Sequence, residues 1–287
     1  MHRQPHILLH ILVCFILTCL GCAPMTYNRY QTAHTLGKWE MKLAVSANMS
    51  RDPIFQAWNE LAGEMDREFL GWAQHKDLER QYIDAVLEAN ENIDETAMYS
   101  SDAGFIPDCE LIYAIGVHDR VDLELRSTIS GYYRLNSKIL IAELGPHGGL
   151  SIAPGIGYRA IHTFRFHTSY KPEDNIEISD DFSGWAMTAE VPLIIGWRFS
   201  HVSPYMAPMY AYHYLNVDYT RRTDHLHPEF ERTLQYDLHF HQVGLIAGVQ
   251  FSFWHIIITP EIAGIFHTGP GVDVLALYPG IALGAFW

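Results

Sequence analysis

Two histidine pairs with metal-binding spacing lie on either side of a polar stretch near residue 230: His225-x-His227 and His239-x-His241. In a β-strand, residues i and i+2 share a face, so each pair could chelate a metal ion through its imidazoles. No cysteine or carboxylate at a suitable spacing completes a four-ligand set. The 17 histidines are scattered through the chain, which favours loop or interfacial positions for these four. We expect no metal and no other cofactor.

A second chemical possibility is nucleophilic catalysis by His167 and Ser169, in the stretch FRFHTSYKPEDNIEISDD. A histidine activates a serine hydroxyl when a carboxylate orients the imidazole, and Asp181 is one of several acids downstream. The His-x-Ser arrangement resembles that of outer-membrane lipid A deacylases, which implies a lipid hydrolase as one alternative. The similarity ends at Ser169, because Tyr170-Lys171-Pro172 replaces the residues that follow the serine in those enzymes. The chain has no Gly-rich phosphate loop, Cys-x-x-Cys pair or nucleophile elbow, so a role other than catalysis is favoured.

A third set consists of six acidic and six basic residues that share one face of the predicted strands with glycine and alanine. Its members are Glu40, Lys42, Glu110, Asp122, Glu124, Arg126, Arg134, Lys138, Arg159, Glu190, Arg198 and Glu261. Small residues leave room in a narrow interior, and balanced charges avoid the large free-energy cost of an unpaired buried charge. We expect these residues to form a charge network in the lumen of a β-barrel.

The strands that must position these residues are indicated by a period of two from residue 105 onward. In Leu238–Trp254, odd-numbered residues such as Val243, Leu245 and Phe251 are apolar, whereas Gln242, Gly244 and their even-numbered neighbours are mostly small or polar. The same test predicts ten strands, at 38–48, 107–117, 121–129, 132–142, 149–166, 184–200, 204–217, 237–254, 256–267 and 272–287. Long polar connections are predicted at 50–105, 167–183 and 218–236.

Short turns on one side and long loops on the other are typical of outer-membrane barrels. A soluble sandwich or lipocalin-like barrel gives a similar alternation with its apolar face inward. The aromatic residues near strand ends favour the opposite orientation, with lipid outside and a polar lumen inside. These residues are Trp39, Tyr133, Trp185, Trp197, Phe199 and Trp287. We therefore predict an all-β chain forming an antiparallel transmembrane barrel of about ten strands over residues 37–287.

The N-terminal stretch MHRQPHILLHILVCFILTCLGCAP has a weakly basic start and a largely apolar run of 14 residues, Ile7 to Leu20, too short for a spanning helix but suited to secretion. Leu20-Gly21-Cys22 resembles a bacterial lipobox, which implies a signal peptide over 1–21 and acylation of Cys22. Residues 22–36 would then form a periplasmic linker. The expected location is the bacterial outer membrane, with a lipid anchor and membrane lipid as a partner.

Two stretches resemble a family of small outer-membrane β-barrel lipoproteins of uncharacterised function. TAHTLGKWEMKLAVS is similar to the opening of their first strand, and IYAIGVHDRVDLELR is similar to one of their hairpins. The closing segment, LALYPGIALGAFW, resembles the signal that barrel-assembly machinery recognises, which implies that this machinery is a partner through the strand ending at Trp287. The resemblance implies an architecture and no reaction.

Residues 52–102 interrupt the alternation. Phe55, Trp58, Met65 and Phe69 recur at helical spacing, and a second amphipathic stretch follows across 77–92, so we predict an inserted helical hairpin. The insert holds 13 acidic and 3 basic residues and carries most of the chain's net charge of −14. Nucleic-acid binding, which requires basic patches, is therefore disfavoured.

Three functions are compatible with this architecture. The first is a structural or surface-interaction barrel whose lumen is largely filled by charge pairs. The second is a narrow conduit for small or hydrophobic solutes, gated by the helical insert. The third is a lipid hydrolase using His167 and Ser169. The sequence identifies no ligand.

Overall fold

The computed structural model describes residues 31–50, 64, 67–69, 71–72, 106–128, 131–170, 176–224, 231–269 and 272–287. The strands are β1 (Met41–Ser50), β2 (Ile106–His118), β3 (Val121–Thr128), β4 (Tyr132–Leu144), β5 (Gly148–Ile152), β6 (Gly155–Tyr170), β7 (Ile176–Trp197), β8 (Val202–Asp224), β9 (Glu231–Phe253), β10 (Ile256–Gly269) and β11 (Val272–Phe286). The predicted signal peptide and the lipidation site Cys22 lie outside the described residues.

All eleven strands belong to one antiparallel sheet that closes into a ring. Strands that follow one another in sequence pair, except that β5 and β6 each pair with β4 and β7, and β1 pairs with both β2 and β11. Two backbone hydrogen bonds of 2.9 and 3.1 Å join Met41 to Trp287 beside this closing pair. The predicted all-β class and the antiparallel pairing are confirmed.

The predicted strand 149–166 is two strands, because the pairing is interrupted at Ala153 and Pro154. Pro154 has no N–H to donate to a neighbouring strand, so one hydrogen bond of the ladder is lost at this interruption. The two pieces, β5 and β6, lie end to end in one position, since both pair with β4 on one side and with β7 on the other. The ring therefore has ten positions around its circumference.

The predicted loops at 167–183 and 218–236 are largely strand. β7 begins at Ile176, β8 continues to Asp224, and β9 begins at Glu231, so β7, β8 and β9 are 22 or 23 residues long. In these extensions, polar residues such as Asp218, Thr220 and Gln235 occupy the outward face. These polar residues made the segments resemble loops in the sequence. The backbones of β7 and β8 nevertheless pair without a break from Glu177 to Gly184 of β7.

The connections divide the ring into two ends. At the short-turn end lie the connections 119–120, 145–147, 198–201 and 254–255, together with the start of β1 and the end of β11. At the far end lie the strand ends Ser50, Ile106, Thr128, Tyr132, Tyr170, Ile176, Asp224, Glu231, Gly269 and Val272. This arrangement places the extended parts of β7, β8 and β9 at the far end.

Residues 31–36, which the sequence assigns to the linker, lie inside the ring at the short-turn end. Gln31, Ala33 and Thr35 are buried, and the segment leads to the start of β1 through Gly37. An added Cβ at Gly116 would lie 2.2 Å from the carbonyl oxygen of Gly37. Glycine at this position on β2 lets the entering backbone approach the sheet.

The predicted helical hairpin falls mostly outside the described residues. Residues 64, 67–69 and 71–72 are helical, and the Phe69 and Trp72 rings pack 5.4 Å apart. Glu68 forms an ion pair with Arg232, and Tyr236 donates a hydrogen bond to Glu64. The described part of the insert thus contacts the far end of β9. Among the described residues, no helix combines the length and apolarity needed to cross a membrane.

Candidate functional site: the interior of the ring

The interior carries a buried network of charged side chains on β2, β3, β4 and β7. Glu110 bridges two guanidinium groups, at 3.1 Å from Arg126 and 3.2 Å from Arg134. Arg126 also contacts Glu124 at 2.5 Å, and Arg134 contacts Glu190 at 3.4 Å. All five side chains are at least 97% buried. Because each carboxylate faces a guanidinium, the network holds its charges without access to water.

The network is extended by uncharged groups from the N-terminal segment and from β4. Glu124 accepts a hydrogen bond of 2.6 Å from the Gln31 amide and one of 3.1 Å from the Asn136 amide. Glu124 therefore has three donors within reach, including Arg126. The link from Gln31 to Glu124 ties the entering chain directly to the charged interior.

A second ion pair fixes the backbone of the N-terminal segment. Lys138 lies 2.8 Å from Asp122, and its ammonium group donates a hydrogen bond of 2.7 Å to the carbonyl oxygen of His34. The Asp122 carboxylate accepts a hydrogen bond of 2.9 Å from the Leu36 amide. Ser151 donates a hydrogen bond to the carbonyl oxygen of Ala33. This pair acts as a clamp on residues 33–36.

The remaining members of the predicted charge set have different environments. Lys42 and Glu261 are buried, and Tyr205 donates a hydrogen bond to Glu261. Arg159 is half-buried, whereas Glu40 and Arg198 are exposed at the short-turn end. The structure therefore joins five members of the set in one network and two in an ion pair, and it places Glu40 and Arg198 at the mouth of the ring.

A cavity of about 280 Å³ opens at this mouth. The charged groups Glu40, Lys42 and Arg198 line it together with Asp122, Glu124, Lys138 and His34, and an apolar wall is formed by Phe199, Ile257 and Phe286. Arg198 is exposed as a residue, but partial burial of its guanidinium in the cavity lowers its pKa below the ordinary value, and the carboxylates of Glu40 and Asp122 oppose that shift. Burial also lowers the pKa of His34, which contacts the carbonyl oxygen of His147 at 2.9 Å.

Part of the interior is apolar, in contrast to the charged lumen predicted from the sequence. Inward-facing residues on β8, β9 and β10 form a core cluster that includes Met209, Leu215, Ile246 and Ile265. Beside it, His267 contacts both Gln242 and Tyr278, and His213 contacts Thr188. The sequence of β8 indicated this apolar part. Met209, Leu215 and Val217 have odd numbers, as do the buried Ser203 and Tyr205, so all five lie on the inward face of the strand.

His239 and His241 lie on the outward face of β9, where they contact tyrosines of β8. The Tyr212 hydroxyl is 2.5 Å from Nδ1 of His239, and the Tyr210 hydroxyl is 2.7 Å from Nδ1 of His241. Within the part of the chain that the structure describes, no group of three or more potential ligands could hold a metal ion. His225 and His227 lie outside the described residues.

The hydrolase candidates lie on paired strands. In the register of β6 and β7, His167 is opposite Ser179 and Ser169 is opposite Glu177. The Asp181 carboxylate lies 3.9 Å from the Arg222 guanidinium. The side chains of His167 and Ser169 lie outside the described residues, so the structure gives no geometry for a triad.

Comparison with known proteins gives no assignment for this site, since neither a protein family nor a curated protein matches the chain.

Proposed function

We propose that this chain is a lipid-anchored β-barrel of the bacterial outer membrane with a structural or surface-interaction role and a closed interior. The observation that carries the proposal is a change of polarity along the outward face of single strands. On β9, the outward residues Gln235, Asp237 and His239 are polar, whereas Val243 and Leu245 are apolar and 56% and 51% exposed.

One strand thus faces two different solvents. Water suits the outward residues of the far end, where the apolar side chains of Leu238 and Phe240 point inward. Below that boundary, half-exposed apolar residues follow at every second position, which suits acyl chains. The outward face of β8 changes from polar to apolar at the matching level. Asp218 and Thr220 point outward at the far end, and Met206 points outward near the short-turn end.

The apolar band has the height of a membrane. On β9 it runs from Val243 to Phe253, which is about 33 Å of strand at roughly 3.3 Å per residue. A tilt of about 40° reduces this to about 25 Å, the height of the apolar band of outer-membrane barrels. Aromatic residues mark both borders, with Tyr210 and Tyr212 beside the histidines above, and Trp254, 94% exposed, at the turn below.

The filled interior supports a structural role over transport. The Glu110 network occupies the side formed by β2, β3 and β4, apolar side chains occupy the side formed by β8, β9 and β10, and residues 31–36 enter at the short-turn end. In this orientation the short-turn end faces the periplasm, the side from which a lipid anchor at Cys22 would lead into the N-terminal segment.

Substitution Ala247→Arg tests the membrane orientation, because Ala247 is an exposed outward residue of β9. In a bilayer the guanidinium would lie near the middle of the apolar band, and we expect a loss of about 2–4 kcal/mol in the free energy of unfolding. Unfolding by denaturant in lipid vesicles, followed by tryptophan fluorescence, measures this loss.

The matched control is Gln235→Arg, which introduces the same charge on the same face of β9 above the band. We expect it to leave the free energy of unfolding in vesicles unchanged within about 0.5 kcal/mol. Equal effects of the two substitutions, or recovery of the mature parent protein without detergent, would contradict the proposal.

A further inference from the structure

The cavity at the short-turn end holds an acidic and a basic side chain that face the same space without pairing. Glu40 and Arg198 both line it, and Glu40 is the leading acidic influence on the Arg198 guanidinium. Within the described part of the chain, the two side chains form no ion pair with each other, and Arg198 has no ion pair or side-chain hydrogen bond to any residue. Such a separation leaves room for a bridging group.

The deeper acids of the cavity already have partners. Asp122 contacts Lys138 and the Leu36 amide, and Glu124 contacts Arg126, Gln31 and Asn136. Their charges are therefore balanced within the protein. Glu40 accepts one hydrogen bond of 2.8 Å, from the Gly37 amide to Oε2, which leaves its other oxygen open to a donor.

An apolar wall completes the cavity. Phe199, Ile257 and Phe286 lie among its lining residues, and Ser203 and Gln250 add neutral polar groups. The volume of about 280 Å³ is at the lower limit for small-molecule pockets, which are roughly 300–1,000 Å³. It suits a ligand of about ten non-hydrogen atoms, much smaller than a drug-sized molecule.

We propose that this cavity binds a small zwitterion of the amino-acid type, with its carboxylate on Arg198, its ammonium group on Glu40 and an apolar side chain against Phe199 and Phe286. Arginine suits the carboxylate, because its planar group donates two parallel hydrogen bonds. A zwitterion adds no net charge to a cavity whose charges are already balanced. The site goes beyond the structural role proposed above and does not depend on the membrane.

Calorimetric titration of the folded full chain in detergent with L-leucine and two analogues tests the site. L-leucine amide lacks the carboxylate, and N-acetyl-L-leucine lacks the ammonium group. We expect leucine to bind and each analogue to bind at least tenfold more weakly. No binding of leucine at millimolar concentration, or binding of either analogue within twofold of leucine, would overturn the proposal.

Two charge-neutralising variants assign the contacts. Arg198→Gln should bind leucine at least tenfold more weakly and no longer distinguish it from leucine amide. Glu40→Gln should stop distinguishing leucine from N-acetyl-leucine, while its amide oxygen can still accept the Gly37 hydrogen bond. Arg120→Gln is the control, because Arg120 lies at the same end and pairs with Glu143 outside the cavity.

The variants also separate specific binding from loss of structure. Unchanged thermal midpoints for all three show that the fold persists, so a weaker affinity reports on the cavity alone. If Arg120→Gln weakened binding as much as Arg198→Gln, the assignment of the carboxylate to Arg198 would be wrong. A soluble, non-membrane protein that still bound leucine would contradict only the membrane proposal.

Discussion

Glu110 holds the charge network of the interior together, because its carboxylate contacts both Arg126 and Arg134. Its environment is fully buried, so each guanidinium depends on protein carboxylates in place of water. The neighbours Glu124 and Glu190 each contact one of the two arginines. The stability of the network therefore depends on a complete set of partners.

Substitution Glu110→Gln keeps the shape of the side chain and removes its charge. We expect a loss of about 1.5–3 kcal/mol in the free energy of unfolding, because each buried arginine keeps one carboxylate but loses its charged contact with Glu110. Denaturant unfolding in detergent measures the change. The exposed pair of Arg120 and Glu143, 3.8 Å apart, provides the control, since Glu143→Gln should cost less than about 1 kcal/mol.

The sequence indicated which residues form this network but not their pairing. Parity within each strand placed Glu124, Arg126 and Arg134 on one face, and that face is buried. Which carboxylate meets which guanidinium depends on the register between strands, such as Arg126 opposite Arg134 in β3 and β4. Register follows from turns and packing across the sheet, and one strand contains no information about it.

At the scale of elements, the N-terminal segment closes one end of the ring through contacts with three strands. Its side chain and backbone groups contact Glu124, Lys138 and Ser151. Added Cβ atoms at Gly149 and Gly196 would lie 3.3 Å from His34 and Ala33. This element was not predictable from the sequence, because residues 31–36 have no strand or helix period and their burial depends entirely on groups elsewhere in the chain.

Substitution Lys138→Gln should loosen the N-terminal segment. It removes a charged donor to the His34 carbonyl and the ion pair with Asp122, contacts that contribute about 1.5–3 kcal/mol. We expect the backbone amides of residues 33–36 to exchange with deuterium about ten- to a hundredfold faster, as measured by mass spectrometry.

Ser137→Ala is the matched control for this experiment, since Ser137 is the neighbouring residue of β4. Strand neighbours point to opposite faces, so its side chain is directed away from the segment. The exchange of residues 33–36 should stay as in the parent. Equal exchange in Lys138→Gln and the parent would show that the Lys138 clamp does not hold the segment.

At the scale of the whole molecule, the closed ring was predictable and its height was not. Alternation indicated ten strands, one at 38–48 and nine within 105–287, and ten positions are present once β5 and β6 are taken as one. The extensions of β7, β8 and β9 were assigned to loops because the outward face turns polar where Asp218 and Gln235 lie. A period of two persists there with apolar residues inward, as in a soluble sheet.

This two-part interior also determines whether ions can cross the molecule. An open path needs continuous water, and here one side of the interior is filled by paired charges and the other by apolar residues such as Leu215 and Ile246. Side chains that are paired with each other are not available to coordinate a passing ion, and apolar surfaces resist wetting.

The parent chain in a planar bilayer should therefore produce no stepwise conductance, with insertion verified by protection from protease and an open porin measured in the same bilayer. Reproducible steps from the parent would instead favour the narrow conduit, because a filled interior and a persistent ion path exclude one another.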